Sequence, residues 1–285
     1  MYVQAISDIR SIKGKTCSRL MLGDDGDIYV VKLPQGANSY RRFASEYLAA
    51  TIAKTVGLPV ADCLPIQVPR AWAPETAVRE NHASCKTILC SGSRLVRGPD
   101  GRSAIDILPS GYLHQLNNVD SFWGMLAFDK WCSNIGSRNA VFCRTTGAVN
   151  YAAYFIGHGD SFSGATWSFS DTPGIGLYHN KVVYDGITSW DSFEPCISAL
   201  VSINPQTIWN LVNEVPAEWY GGKTKCVEEL VESLLRRRSK IHELLDRGRE
   251  ANPECFPAWT RKVCVTVPSS RNIPVSLFAL GEASS

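Results

Sequence analysis

Along the first third of the chain, apolar and polar positions alternate with a period of about two residues. Val3 to Ile9 alternates loosely, Ser11 to Ser18 is a polar break, and Arg19 to Leu22 is a second apolar run. After a turn made of Gly23-Asp24-Asp25-Gly26-Asp27, Ile28 to Leu33 forms a third. Three strands with such short connections predict an antiparallel sheet. The period then lengthens. Ser39 to Val56 repeats as a helix, and Gly57-Leu58-Pro59 is its stop signal. Leu64 to Pro69 and Thr87 to Cys90 read as two more strands, Gly92 to Val96 leads towards a hinge, and Pro99-Asp100-Gly101 is a turn. From Val119 onward the spacing is largely helical, over Val119 to Cys132, Ser198 to Val215 and Lys225 to Arg247. The last of these carries Arg236, Arg237, Arg238 and Lys240 mostly away from its apolar stripe, as a solvated basic face.

The stretch from Leu126 to Phe162 breaks this regularity. It reads as a helix end, a tight polar loop of Ser133, Asn134, Gly136, Ser137, Arg138 and Asn139, and two short apolar strands. The second strand, Tyr151 to Ile156, runs into Gly157-His158-Gly159-Asp160. A buried amide or guanidinium without a partner costs about 1 to 3 kcal/mol. Two polar loops at adjacent strand ends therefore predict a site. Asp129, in the preceding helix, reads as a structural helix-end residue.

Alternation places Lys32 on the same strand face as Val30 and Ile28, where an ammonium wants an anion. In the following helix Glu46 shares a stripe with Ala49, Ala50 and Ala53, at positions i, i+3, i+4 and i+7. Small residues let the helix approach the sheet closely, and a carboxylate on that stripe needs a cation, for which Lys32 is the natural choice. Strand, polar loop, two strands ending on a lysine and a helix with an inward glutamate make the N-lobe of a protein-kinase-like fold. There, loop backbone covers the ATP phosphates while the lysine grips them. Gly14-Lys15-Thr16 is not a Walker A sequence, because the residue five before Gly14 is Ile9 and the loop joins two strands.

At 285 residues, 45% hydrophobic, the chain can bury a full core in two lobes. The net charge of +2 is spread out, which argues against a nucleic-acid or membrane partner. Apolar runs are short, and the N-terminus lacks the pattern of a signal peptide, so a cytoplasmic protein is expected. The ten cysteines include no CxxC pair; most read as small core residues, with a reactive thiol as the alternative at Cys17 or Cys132, although neither has an adjacent His. The histidines show no metal-ligand spacing, and Trp190, Trp209 and Trp219 read as core.

The segments YVVKLP, SEYLAATIAKTVGLPV, FDKWCSNIGSRNAVFCR, FIGHG, GLYHNKVVYDGITSWDSFEPCIS and VPAEWYGG, in this order, resemble the HipA-like kinase family over roughly residues 1 to 247. The resemblance implies an α+β, two-lobed kinase-like fold. An antiparallel-sheet N-lobe with one main helix (1–96) is followed by a mostly helical C-lobe (97–247) and a C-terminal extension (248–285). It implies ATP and magnesium as ligands and transfer of a phosphoryl group to protein Ser or Thr. The loop of residues 12–18, with Lys13 and Gly14, would cover the phosphates, and Lys32 and Glu46 would be the ATP lysine and its partner.

Asn134 and Arg138 keep the family's catalytic-loop residues. Asn139 stands where the family has Gln and could still meet a metal. The pattern departs at Gly136, the position of the catalytic Asp or Asn, and at Gly157, the position of the metal-binding Asp. Asp160 is the nearest substitute for the metal anchor, provided its loop folds back. Two expectations follow: a phosphotransferase of much reduced rate, which Asp at both glycines should raise, or a pseudokinase that acts through nucleotide binding or protein partners. A second register, with His158-Gly159-Asp160 as the catalytic loop of an aminoglycoside-phosphotransferase-like kinase, lacks the required Asn at residue 165, which is Ala.

Overall fold

The computed structural model describes residues 2–13, 16–36, 38–74, 85–144, 150–172 and 175–259. Gly14 and the strand expected over Val263 to Val267 lie outside them. Strands β1 (Val3–Ile12), β2 (Ser18–Gly23) and β3 (Ile28–Lys32) form the expected antiparallel meander. Helix α1 (Ser39–Thr55) follows, then β4 (Cys63–Pro69) and β5 (Thr87–Arg94). The sheet runs β1-β2-β3-β5-β4 and closes into a barrel, because Val3 and Gln4 pair in parallel with Ile66 and Gln67. That closure was not expected. Alternation along each strand gives its pairing faces, but which edges meet is decided by chain segments some sixty residues apart.

Burial in β3 alternates with Tyr29 and Val31 in the core, so Lys32 shares the half-buried face with Val30 and Ile28, as its spacing predicts. Register sets Ser18 and Ser91 on either side of Lys32. The loop between β1 and β2 therefore opens at the lysine's end of the barrel. Helix α1 stops where Gly57 takes φ +84°, a conformation open to glycine. It is buried on several faces, because the barrel covers one side and C-lobe segments the other.

The chain leaves β5 through a hairpin whose turn is Pro99-Asp100-Gly101, with Gly101 at φ +76°. Helices α2 (Ser110–Leu113) and α3 (Ser121–Trp131) lead to the hairpin of β6 (Asn139–Arg144) and β7 (Tyr151–Ile156). The remaining helices are α4 (Glu194–Ser202), α5 (Pro205–Asn213), α6 (Ala217–Tyr220), α7 (Thr224–Arg237) and α8 (Ile241–Ala251). Two helices expected to be continuous are each split. Asn204 caps α5 by accepting from the Gln206 N–H while Pro205 starts it, so no helix crosses that point. A single 3₁₀ turn at residues 238–240 separates α7 from α8.

The basic face expected on α7 is also corrected, since Arg237 is buried. It donates to the terminal carbonyls of α3, Trp131 O at 2.6 Å and Lys130 O at 2.7 Å, and grips Asp171. The start of the expected C-terminal extension is folded onto the C-lobe, with Trp259 edge-on to Trp190 and packed near Phe193. Trp219 is fully buried, as its reading as core requires. It also ties the two halves together, donating from Nε1 to Leu89 O and packing edge-on against Phe43 and Tyr47 of α1.

Candidate functional site

The site forms where the Lys32 end of the barrel faces the loops after α3 and β7. Lys32 Nζ lies 2.6 Å from Glu46 Oε2, and the glutamate is 1% exposed. Burial alone would raise the Glu46 pKa. The Lys32 ammonium and a backbone N–H from His158 outweigh it and hold the carboxyl below its ordinary value. The predicted pair is thus formed without any shift of α1. Lys13 is exposed at the mouth of the β1–β2 loop.

The loop after α3 is built around Asp129, which is buried at 1% exposure. Asn134 Nδ2 donates to Asp129 at 3.0 Å, and the Arg138 guanidinium donates to both of its oxygens, Nε at 2.9 Å. The Asn134 amide oxygen accepts the Gly136 N–H at 3.0 Å, closing a tight Asx turn. Arg138 also donates to Ile156 O and to His158 Nδ1, each at 3.3 Å. Arginine can only donate, so that imidazole nitrogen accepts and the ring proton lies on Nε2. Burial, together with the Arg138 cation, pushes the His158 pKa down to about 3. Asp129, Arg138, His158, Glu46 and Lys32 therefore form one buried polar relay from α3 to the barrel. Asn134 and Arg138, expected as catalytic residues, are spent within it and shape the loop rather than face the cleft.

The loop after β7 folds back onto this one. Ile135 N–H donates to Asp160 O at 3.0 Å, Phe162 N–H to Cys132 O at 2.7 Å, and Ser163 N–H to Ser133 O at 2.9 Å. Ser133, Phe162, Ser163, Trp167 and Phe169 all have positive φ without being glycine. Each such residue costs about 1 to 2 kcal/mol, and strain of this kind gathers at functional loops. The row of α1 residues before Glu46 grips the same segment. Arg42 pairs with Asp160, Ser45 Oγ donates to Gly164 O at 3.1 Å, and the Arg41 guanidinium lies 4.5 Å over the Trp167 ring. Arg42 was not singled out from the sequence, although it sits four residues before Glu46 and hence on the same helix face.

The structure brings Asn139 and Gly157 together. A Cβ on Gly157 would lie 3.3 Å from Asn139 Nδ2, but Gly157 has φ +74°. Within 4 Å of that Cβ stand one amide and no carboxylate, whereas magnesium between phosphates takes one or two carboxylates. No cluster of three or more His, Cys, Asp or Glu suited to a metal exists among the described residues. These residues do not fit a magnesium ion held in that way. Asp160, expected as a substitute beside Gly157, stands instead over Gly136. A Cβ added to Gly136 would lie 2.5 Å from Asp160 Oδ2 and 2.9 Å from its Cβ. The second register would also need a metal aspartate on a later strand, for which Asp171 is the candidate, but Asp171 lies in no strand and is bound to Arg237.

A five-strand barrel with a Lys–Glu pair, a single long helix, and a cleft closed by two loops of a helical lobe defines the protein-kinase-like fold. Residues 4–140 match the family model described as HipA-like kinase. No curated protein matches the sequence. Among solved structures, the chain is similar to the proinflammatory kinase CtkA of Helicobacter pylori, at 13% identity and TM-score 0.50, over 88% of this chain and 97% of that one. That likeness is one of fold. It also aligns with hydra Fam20 solved with sugar, at 11% identity and TM-score 0.49, over 89% and 88% of the two chains. The Golgi casein kinase with Mn and ADP aligns at 10% identity and TM-score 0.41, over 88% and 73%.

Proposed function

We propose that the chain binds ATP in the cleft at Lys32 and transfers its γ-phosphoryl group slowly to the hydroxyl of a protein Ser or Thr. The observation that carries this reading is the ion pair between half-buried Lys32 and buried Glu46, beside Ser18 at the start of β2. A lysine held by a buried glutamate at the mouth of a loop is pre-positioned to grip α- and β-phosphates. Slow turnover follows from glycine at residues 136 and 157, which leaves the cleft without two acidic side chains. A second reading, a pseudokinase that binds nucleotide and acts on a regulatory protein partner, is favoured by the same two glycines. The nine described free cysteines fit a reducing, cytoplasmic setting, and no described helix is long and apolar enough to cross a membrane.

Calorimetric titration of ATP, with and without magnesium, tests the reading. The unmodified chain should bind with little dependence on magnesium, and Lys32→Met should bind about 10-fold or more weakly, as expected for a lost charge-assisted contact. Absence of ATP binding by the unmodified chain, or equal binding by Lys32→Met, would overturn it. Strict dependence on magnesium would mean that a carboxylate in the cleft anchors the ion.

A further inference from the structure

The carboxylate missing at residue 136 has a counterpart in the same space, supplied by the opposite loop. The three atoms nearest to a Cβ built on Gly136 all belong to Asp160, the closest at 2.5 Å. A side chain at 136 and the present Asp160 rotamer exclude one another. The placement is anchored at both ends, because the Asp160 carbonyl accepts the Ile135 N–H at 3.0 Å and its carboxylate is held by Arg42. Two nearby carboxylates among the described residues are buried and committed, Asp129 to Arg138 and Asn134, and Glu46 to Lys32. The Asp160 side chain keeps 38% of its surface exposed.

Resting on the phosphoryl-transfer reading, we propose that Asp160 is the catalytic carboxylate of this cleft, acting from the position that a residue-136 side chain would occupy. The acceptor class is an aliphatic hydroxyl, as on Ser or Thr. Its oxygen forms a bond to the γ-phosphorus while the bond between that phosphorus and the β,γ-bridging oxygen breaks. The hydroxyl proton passes to Asp160, and the bridging oxygen leaves with its electron pair on ADP. Arg42 is the positioning residue that holds the carboxylate over Gly136.

The test compares the unmodified chain, Asp160→Asn, and a relocation variant carrying Gly136→Asp with Asp160→Gly. Removing the whole Asp160 side chain opens the space that a residue-136 Cβ needs. Each protein is assayed for ATP binding by calorimetry, for thermal stability, and for single-turnover transfer from γ-labelled ATP to dephosphorylated casein and to the chain itself. Asp160→Asn should transfer about 100-fold more slowly, the scale of a lost general base, with ATP affinity within about twofold. The relocation variant should regain most of the rate. Three results would overturn the proposal. Asp160→Asn could transfer as fast as the unmodified chain, the relocation variant could bind ATP yet stay as slow as Asp160→Asn, or the unmodified chain could bind ATP and transfer nothing. In the first two Asp160 is only a tether for Arg42, and in the third the phosphoryl-transfer reading on which the proposal rests fails. Loss of ATP binding by the unmodified chain is a different failure, that of the nucleotide site itself.

Discussion

His158 illustrates how the buried relay depends on charge state. With its pKa pushed from 6.5 to about 3, the folded chain refuses a proton that the unfolded chain accepts between those values. Stability is therefore full above the unfolded value and falls as pH drops towards the folded one, by up to about 1.4 kcal/mol per pH unit. Glu46 adds loss in the same direction at lower pH, since its carboxyl is held below its ordinary value. His158→Gln keeps an acceptor for Arg138 and removes the titration. Urea unfolding of this variant should lose most of the slope between about pH 6 and 4.5; an unchanged slope would place the acid sensitivity elsewhere. The two glycines behave differently from their reading in the sequence. Asp at both was expected to raise transfer, but Gly136→Asp collides with Asp160, and Gly157→Asp must adopt φ +74°. The simple double substitution should lower thermal stability, by roughly 1 to 2 kcal/mol from the backbone at 157 alone. It should not gain activity while Asp160 remains; a gain of several powers of ten would show that the loop around Asp160 yields cheaply.

At the scale of elements, Arg237 joins three of them. It caps the end of α3, closes α7 and holds the segment that follows the strained loop through Asp171. Arg237→Ala leaves those carbonyls and Asp171 without their donor, and should cost about 3 kcal/mol in denaturant unfolding. Arg237→Lys should recover little, because an ammonium cannot reproduce the guanidinium fork. A loss under 1 kcal/mol for the alanine variant would mean that water replaces the cap. None of this was legible in the run of arginines, since helical period separates apolar from polar positions but cannot tell a buried arginine from a solvated one. The Lys32–Glu46 pair was legible for the opposite reason. Both residues stand out against their own element, one by alternation and the other by its stripe of alanines, so local pattern suffices. The approach of Asp160 to Gly136 is a property of two loops folding together, and chain distance from Gly157 pointed the other way. Arg42 could have been found by extending the Glu46 face back one turn.

On the scale of the molecule, the lobes are joined by a few well-defined contacts. Val60 bridges to Phe155 beside the end of α1, and Trp219 reaches from the C-lobe to Leu89 and to Phe43 and Tyr47. Trp219→Ala should cost about 3 to 5 kcal/mol, as for other large buried aromatics. Because α1 loses its packing on that side, ATP binding should weaken with it; unaltered affinity in a folded variant would show that the barrel alone positions Glu46. The two-lobed layout was legible because strand periods dominate the first third of the sequence and helical periods most of the rest, whereas barrel closure was not. That closure carries a consequence for the order of assembly. The last of the five strands to be synthesised, β5, lies between β3 and β4, and β1 completes its edge only by reaching β4. A nascent chain therefore holds β1 to β3 as a meander with two open edges until residue 94 has left the ribosome. Pairings of such long sequence separation form slowly, and during that interval the exposed edges are sites for aggregation. Refolding should show a slow phase in which α1 becomes ordered late, after the hairpins are in place, so that Lys32 meets Glu46 as one of the last events of folding.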